Sequence, residues 1–445
     1  MMGELPPNQN QLFSDFNLEQ LVPEDHFLRS IDRFLDFSTI KDLLSDYYSH
    51  TGRPSVDPEL MIRMLIVGYS YGIRSERRLC EEVQFNLAYR WFCRLGLEDD
   101  IPNHSTFSKN RLGRFRDAGL FEAIFHEIVA SCIEKGLVKG EGFAVDGSMV
   151  RSVASVKSLH KGQIEWSGKQ RSKREVREYI EALDESPKHR RRQTTISLTD
   201  PMSQWSAAKG PAHFFYSNNY LIDLENSIIT DVQASVATYP KEVEALPGML
   251  DRVKEKHGLK PDYLIGDTAY GTAESLHEIV DERNIEPHIP VWDKSNRADG
   301  TLSKDSFIYD PEKDIYICPE GHPLKSSGRI NKDNCFRYRG KVPTCRACPI
   351  KEQCCPNTSY RKVTRHRYES ARDKAREITQ SDIYQTKSFA ARQKVEMAFG
   401  HMKEQFGFRR LRLKGMNSAN DEFTLMACVQ NLRIMARRLP IPPPT

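Results

Sequence analysis

The chain has 445 residues, and its 65 lysines and arginines against 61 aspartates and glutamates give a formal net charge of +4. This length predicts two to four domains, and so modest a charge does not by itself indicate a nucleic-acid partner. No run approaches 18 uncharged apolar residues, and the first residues lack the basic and apolar regions of a secretory signal. We therefore expect a soluble cytoplasmic protein with no membrane contact.

Residues from about 20 to 137 follow a helical pattern. In "SVDPELMIRMLIVGYSYG", Asp57 is the predicted N-cap with Pro58 at the first helical position, and Ser75 and Ser105 are candidate caps of later helices. The segment "HSTFSKNRLGRFRDAG" predicts exposed side chains suited to phosphates and base edges, namely Ser108, Lys109, Asn110, Arg111 and Arg114. A helix-turn-helix-like DNA reader is one interpretation, and a plain helical domain with a basic surface is the other.

The periodicity changes at residue 141. "GFAVDGSMV" predicts a buried strand, and "AHFFYSNNYLIDLENSIITDVQASV" predicts a β-hairpin with "ENS" at its turn. A helix, a strand, a helix and a strand then follow in "KEVEALPGMLDRVKEKHG", "DYLIGDTAYG", "AESLHEIVDERN" and "EPHIPVW". This order indicates an α/β sheet with strands of mixed direction.

A polar, basic and cysteine-rich segment interrupts that pattern from residue 293 to 380, before a helical pattern resumes at "KSFAARQKVEMAFGHMKEQFG". An inserted module is the simplest account, and we expect it to lack an apolar core of its own. The predicted domains are a helical DNA-binding domain, the first part of a catalytic domain, the insertion and the last part of the catalytic domain. Their boundaries are 1–137, 138–292, 293–380 and 381–445.

Basic residues also cluster in three short runs, "RSKREVR", "KHRRRQ" and "FRRLRLK". Each run alone favours DNA only weakly, because such runs are usually solvated faces.

Two aspartates lie at or near the ends of predicted strands. Asp146 interrupts an apolar strand, where an unpaired charge is costly, and Asp267 follows "YLIG". Each could simply form a turn, as Asp commonly does. Ligands of open α/β sheets bind at strand ends, so the two carboxylates could instead converge on one sheet edge.

A third carboxylate, Glu396, lies in "RQKVEMAFGHMKEQFGFRRLRLKG", residues 392–415, which predicts a helix that runs into a basic tail. At 100° per residue, Phe389, Arg392, Glu396 and Lys403 share one narrow stripe of that helix. An apolar row lies directly beside the stripe and consists of Val395, Phe399, Met402 and Phe406. The simplest alternative is a surface ion pair between Arg392 and Glu396, which would contribute only about 0.2–0.5 kcal/mol.

Phosphodiester chemistry gives three such carboxylates a use. Two Mg²⁺ ions about 3.5–4 Å apart can activate an attacking oxygen and stabilise a leaving one, and hard cations of this kind bind carboxylate oxygens. Two strand aspartates and one helix glutamate would suffice for two Mg²⁺ ions, or for Mn²⁺ in their place.

Three segments, "VDGSMV", "IGDTAYG" and "RQKVEMAFGHMK", resemble the catalytic segments of insertion-sequence DDE transposases. In the clade concerned the last motif reads Y-x2-R-x3-E-x6-K, which Arg392, Glu396 and Lys403 match, while Phe389 replaces the tyrosine and removes its hydroxyl. The stretch from "GRPSVDPELMIRMLIVGYSYG" to "IPNHSTFSK" resembles the helical N-terminal domain of these proteins. The resemblance spans roughly residues 20–300 and 385–435.

The resemblance implies a multidomain α plus α/β protein whose helical N-terminal domain precedes an RNase H-like mixed-sheet catalytic domain. Asp146 would lie on the first strand, Asp267 at the end of the fourth and Glu396 on a helix beside them. Arg392 and Lys403 would hold DNA phosphates. The enzyme would cut at transposon terminal inverted repeats, join the 3′-hydroxyl ends to target DNA, act as a homodimer on the ends and associate with the nucleoid.

The insertion holds six of the ten cysteines. A CxxC pair with more thiols nearby indicates zinc, with Cys345, Cys348, Cys354 and one of Cys318 or Cys335 as ligands. The spacing also resembles the iron–sulfur arrangement of some nucleases, and reduced unpaired thiols are the third alternative. Different functions also stay open for the whole chain, namely a catalytically silent end-binding or regulatory protein with the same fold, or an RNase H-like nuclease acting on RNA.

Overall fold

The computed structural model describes residues 17–48, 51, 55–162, 164–184, 195–208, 210–293 and 300–439. The basic run "KHRRRQ" lies outside these residues. The N-terminal part is helical, with a 3₁₀ turn at Ser45–Tyr47 and nine α-helices. They are α1 (Leu18–Leu21), α2 (Phe27–Asp32), α3 (Ser38–Leu44), α4 (Pro58–Ser70), α5 (Glu76–Phe85), α6 (Leu87–Phe92), α7 (His104–Leu112), α8 (Arg114–Asp117) and α9 (Leu120–Glu134).

Side-chain caps define where several of these helices begin. The predicted caps of α4 and α5 are confirmed, since Asp57 accepts a hydrogen bond from the Glu59 N–H and Ser75 accepts one from the Arg78 N–H. The prediction that Ser105 caps α7 is wrong. Asn103 is the cap, because its side-chain oxygen accepts the N–H of Ser105 two residues on.

The main sheet has six strands, β1 (Gly142–Arg151), β4 (Gln204–Ser206), β5 (His213–Asp223), β6 (Ile228–Val236), β7 (Tyr263–Ile265) and β8 (Glu286–His288). Two short strands, β2 (Leu159–Lys161) and β3 (Thr195–Ser197), pair separately. The order is β4-β5-β1-β7-β8, and β6 also pairs with β5. β1, β5 and β6 pair antiparallel, whereas β1, β7 and β8 pair parallel, so the predicted mixed sheet and hairpin are confirmed.

Further helices and turns connect these strands. The α-helices are α10 (Gly168–Arg171), α11 (Arg174–Asp184), α12 (Tyr239–His257) and α13 (Ala273–His277). The turns are 3₁₀ at Val156–Ser158 and Thr268–Tyr270 and π-helical at Glu278–Glu282.

The cysteine-rich segment forms a sheet of its own. Five antiparallel strands follow a 3₁₀ turn at Lys304–Ser306, namely β9 (Ile308–Asp310), β10 (Ile315–Ile317), β11 (Pro323–Ile330), β12 (Cys335–Arg339) and β13 (Lys362–His366). Two short helices, α14 (Val342–Arg346) and α15 (Lys351–Cys354), lie between β12 and β13. The prediction that this segment lacks an apolar core is wrong, because Tyr316, Tyr338 and Val363 alternate inward on its strands and bury a small cluster.

The chain ends in α16 (Glu369–Gln380), a π-helical turn at Tyr384–Ser388, α17 (Phe389–Gln405) and α18 (Met416–Arg438). One hydrophobic core joins α17 and α18 to one face of the main sheet and to the N-terminal helices. The opposite face packs against α12, α13 and α16. The candidate site lies on the face of the main sheet that α17 covers.

Candidate active site

Asp146 lies on the central strand β1, on the face covered by α17. Its register partner across the antiparallel ladder is Tyr220, and its Oδ1 accepts a hydrogen bond from the Gly147 N–H over 2.8 Å. The residue after Asp146 must be small, because a Cβ at Gly147 would come within 3.1 Å of Asn219 Oδ1 and 3.3 Å of the Glu242 carboxyl carbon. The sheet therefore holds Asp146 in a fixed, partly buried position.

Asp267 follows β7, the parallel neighbour of β1. Ala144 stands opposite Ile265 in that ladder, so two further steps on each strand bring Asp146 and Asp267 to the same level. Asp267 also has the turn role foreseen for it, because its Oδ1 accepts the Ala269 N–H over 2.8 Å and starts the 3₁₀ turn. Asp146 lies in the middle of β1, two residues past its parallel pairing with β7, so the Asp-Gly turn considered for it does not form. Asp267 directly follows β7, so both carboxylates lie just beyond the carboxyl end of the parallel ladder, where ligands of such sheets bind.

Glu396 reaches this region on α17, whose apolar row packs as expected. Val395, Phe399 and Met402 are buried, and the Phe399 ring stacks on Tyr220 with 5.2 Å between centroids and 11° between planes. Since Tyr220 is the register partner of Asp146, this stack places α17 directly over the aspartate's part of the sheet.

Lys403 lies on the same stripe of α17. Its Nζ donates a 2.6 Å hydrogen bond to Ser148 Oγ, on the strand that carries Asp146. The sequence interpretation did not include Ser148. The period of a strand could have found it, because Ser148 stands two residues after Asp146 and shares its face.

The pKa of Asp146 depends on the charged groups around it. The pKa of Asp146 is raised to about 7, mainly by burial and also by the negative charges of Asp267 and Glu396, while the Gly147 N–H and the cation of Arg392 act in the opposite direction. A carboxyl group so perturbed beside other carboxylates is typical of functional sites. A cation that binds beside Asp146 would therefore stabilise its ionised form.

The surface ion pair considered for Glu396 is also present. Arg392 Nε donates to Glu396 Oε1 over 3.2 Å, and the two side chains are 35% and 54% exposed. A pair this exposed contributes at most about 1 kcal/mol, so it can be exchanged for a stronger partner. Phe389, at the tyrosine position of the motif, is 50% exposed on the first turn of α17.

In the part of the chain that the structure describes, no group of three or more His, Cys, Asp or Glu side chains is arranged so that it could hold a metal ion. The donor chemistry nevertheless fits Mg²⁺, because Asp146, Asp267 and Glu396 offer hard oxygen atoms and the net effect of its surroundings disfavours the charged form of Asp146. Glu396 would have to leave Arg392 to complete such a set.

The N-terminal candidates for DNA contact do not share one exposed face. Asn110 and Arg111 are only 6% and 1% exposed, so the prediction that both are exposed is wrong. Arg111 donates to the Tyr69 hydroxyl over 2.7 Å and pairs with Glu76 at 3.3 Å, which satisfies a buried charge inside the helical core. Lys109 is exposed and stays a candidate.

The basic run "FRRLRLK" joins parts of the fold. Arg410 Nε donates to the Ser152 carbonyl oxygen, and the Arg412 guanidinium lies 3.8 Å from the centre of the Tyr69 ring. The fully buried Glu422 on α18 accepts the backbone N–H groups of Arg412 and Leu413. This run is therefore largely structural.

The cysteines of the insertion separate into two groups. Five of them line one cavity of about 190 Å³, namely Cys318, Cys345, Cys348, Cys354 and Cys355. Cys335 lines a different cavity, together with Lys304 and Glu369.

Comparison with known families agrees with the resemblance in the sequence. Residues 16–112 match a transposase domain of the DUF772 family, and residues 317–436 match a transposase DDE domain. The second match contains Glu396 and most of the cysteine-rich segment, whereas Asp146 and Asp267 lie outside both.

No curated protein and no solved structure matches the chain. No helix among the described residues is long and apolar enough to cross a membrane. The two family matches support a DDE transposase of an insertion sequence.

Proposed function

We propose that this transposase cleaves phosphodiester bonds at the ends of its transposon and joins the freed 3′-hydroxyl groups to target DNA. Asp146, Asp267 and Glu396 are the catalytic carboxylates of the proposal. The observation that carries it is the pKa of Asp146, raised to about 7 by burial and then by the charges of the other two carboxylates. Carboxylates from three distant segments thus influence one another at a single sheet edge.

The strand order supports an RNase H-like catalytic domain. Along β6-β5-β1-β7-β8 the first three strands pair antiparallel and the last three pair parallel. Counted in chain order and without the short edge strand β4, the strands of this sheet are β1, β5, β6, β7 and β8. Asp146 then lies on the first strand and Asp267 follows the fourth, as the family resemblance implies.

Two bound Mg²⁺ or Mn²⁺ ions would supply an activated attacking oxygen and a stabilised leaving oxygen. The chain's own contribution begins with Asp146, which loses its proton near pH 7 and becomes a full ligand above that pH. The Ala269 N–H fixes the orientation of Asp267. Glu396 would hold the metals as the third carboxylate once its hydrogen bond with Arg392 is released.

That exchange frees the Arg392 guanidinium for a DNA phosphate, which its planar fork can bind through two hydrogen bonds. Ser148 holds the ammonium group of Lys403 at the same edge, as a second phosphate contact. DNA binding and metal binding thus favour the same rearrangement of α17 side chains.

A catalytically silent end-binding protein is the alternative. It would have no use for carboxylates whose charges act together against ionisation of the partly buried Asp146, because that repulsion costs stability. The proposed partners are the terminal inverted repeats, the target DNA and a second copy of this chain bound to the other end.

The test is a cleavage assay on a labelled DNA fragment that carries the transposon end, identified from the inverted repeats that flank the gene. Purified protein should cut at the end in Mg²⁺ or Mn²⁺ and not in EDTA. In the presence of target plasmid, the same fragment should become covalently joined through its 3′ end. Specific binding without cleavage in either metal would support the silent protein instead.

A further inference from the structure

We propose that the cavity of about 190 Å³ in the five-stranded sheet of the cysteine-rich segment holds a structural zinc ion bound by four thiolates. The four ligands are Cys318, Cys345, Cys348 and Cys354. This site is separate from the carboxylate edge and does not depend on the proposed catalytic function. Each thiol releases its proton on binding, so the ion replaces four protons in a tetrahedral site.

The cavity gathers thiols from separate parts of the segment. Cys318 directly follows β10, Cys345 lies in α14, Cys348 lies in the loop after it and Cys354 ends α15. Cysteines from four separate positions therefore line one space within a small domain. Structural zinc sites have this organisation, in which the metal fastens short elements together.

The turn after β10 is already shaped around one sulfur. Cys318 begins a tight turn in which the His322 N–H points at Cys318 Sγ over 3.3 Å. Gly321 adopts a φ of +76° there, which residues with a side chain rarely adopt. An N–H that donates to sulfur stabilises the thiolate form, which is the form that binds zinc.

The backbone also leaves room for the sulfur of Cys345. A Cβ at Gly340 would lie 2.7 Å from Cys345 Sγ, so any larger residue there would displace the thiol. Across the cavity, Arg361 donates to the Cys354 carbonyl oxygen over 2.8 Å and holds the end of α15 in place.

The charge of the lining suits four thiolates. Zinc with four thiolates carries a net charge of −2, and Lys351 and Arg361 both line the cavity. Lys351 is held there by the carbonyl oxygens of Cys355 and Thr358, at 2.8 and 2.6 Å. Two fixed cations beside a site of charge −2 offset the cost of burying it.

The ion is needed to bring the four sulfurs to bonding distance. As the described side chains stand, no three metal-binding groups are close enough to hold an ion. Zinc binding therefore requires the four thiols to turn toward the centre of the cavity, to the usual zinc–sulfur distance of about 2.3 Å. Cys335 cannot take part, because it lines the other cavity.

The test measures the metal content of the full-length protein, purified without chelators from zinc-supplemented cells. We expect about one zinc per chain in the wild type, and background levels in Cys318→Ser and in the double variant Cys345→Ser/Cys348→Ser. Cys335→Ser is the matched control and should retain the zinc, as should Cys355→Ser. Absence of zinc from the wild type, iron in its place, or zinc retained in the double variant would overturn the proposal.

A second measurement covers variants that fail to fold. Zinc in the wild type is removed by dialysis against a chelator with a thiol reductant present, so that the cysteines stay free, and is then replaced with Co²⁺. The absorption spectrum of Co²⁺ distinguishes four sulfur ligands from mixed or octahedral ligands. An intense sulfur-to-cobalt charge-transfer band with tetrahedral ligand-field bands is expected, in the wild type and in Cys335→Ser alike. A spectrum without sulfur ligation would contradict the four-thiolate site.

Discussion

Lys403 donates a 2.6 Å hydrogen bond to Ser148, which lies two residues beyond Asp146 on the same strand. One turn earlier on α17, Phe399 stacks on Tyr220, the register partner of Asp146. These two contacts fix both the position and the direction of α17 relative to β1. The position of Glu396 beside the aspartates follows from them and not from the weak pair that Glu396 forms with Arg392.

Replacement of Ser148 by Ala should therefore reduce strand cleavage while leaving the fold intact. The lost hydrogen bond is worth about 1 kcal/mol, so we expect cleavage to fall by about fivefold and the free energy of unfolding by about 1 kcal/mol or less. Ser217→Ala is the matched control, because it removes an equally short bond, to Glu242, on the opposite face of the sheet. Wild-type cleavage by Ser148→Ala would show that Lys403 needs no support from the strand.

Asp146→Asn should stabilise the metal-free protein, and the gain should depend on pH. The folded pKa is raised from 3.8 to about 7, so the folded state holds a proton that the unfolded state has lost between these values. Stability thus falls as pH rises through that window, by on the order of 2–4 kcal/mol. In EDTA, the melting temperature of Asp146→Asn should exceed that of the wild type at pH 8 and equal it near pH 4. An equal difference at both pH values would assign the effect to packing.

Divalent cations should restore the stability that the ionised Asp146 costs at high pH. Mg²⁺ at about ten times its dissociation constant stabilises a protein by about 1.4 kcal/mol, but binding at this edge requires Asp146 without its proton. Mg²⁺ should therefore raise the melting temperature clearly at pH 8 and much less at pH 6, with ionic strength held constant. Asp267→Asn should abolish the response. A response that persists in this variant would place the bound ion elsewhere.

Helix caps, single strands and hairpins could be predicted from the sequence, because each depends on residues that are close together in the chain. The Asp57 cap, the strand through Asp146 and the hairpin of β5 and β6 each depend on residues within about ten positions. The small sheet of the cysteine-rich segment escaped prediction because its strands are short and polar on their outer face. Its inward residues become recognisable as a core only when all the strands are in place.

The candidate site depended on information that periodicity lacks. Asp146 and Glu396 are 250 positions apart, and only the family resemblance related them. Arg111 failed as an exposed contact for the converse reason. A basic residue on an amphipathic helix normally faces water, but here Glu76 on a neighbouring helix and Tyr69 bind its guanidinium inside the core. No local sequence pattern distinguishes an arginine that faces water from one that is buried and paired in the core.

Lys109 and Arg111 should therefore behave differently when each is replaced by Ala. Lys109→Ala removes an exposed charge, so we expect intact stability and, if the lysine contacts a phosphate, a reduction of about 0.9 in the log–log salt slope of end-DNA binding. Arg111→Ala leaves the partly buried Glu76 and the buried Glu422 without this cation and should destabilise the protein by about 3–5 kcal/mol. Lys135→Ala, which removes an exposed charge from the end of α9, is the control. A salt slope unchanged by Lys109→Ala would exclude this phosphate contact.

Glu396 offers the sharpest distinction between a transposase that cuts DNA and a protein that only binds it. Its carboxylate is 54% exposed and pairs with Arg392, so its contribution to folding is small. The same helix carries a matched glutamate, Glu404, which is 67% exposed and pairs with Arg409. The two residues differ in that only Glu396 contributes to the electrostatic environment of Asp146.

Glu396→Gln should reduce strand cleavage by several orders of magnitude while end-DNA binding and the melting temperature stay nearly unchanged, because the amide keeps the shape but loses the charge that neutralises Mg²⁺. Glu404→Gln should cut at the wild-type rate. Adding Asp146→Asn to Glu396→Gln should cost little more, since groups that act as one unit are not additive. Arg392→Ala should instead weaken both binding and cleavage, through the lost phosphate contact. Cleavage and binding of a labelled end fragment in Mg²⁺ measure all four variants, and wild-type cutting by Glu396→Gln would reduce this residue to a partner of Arg392.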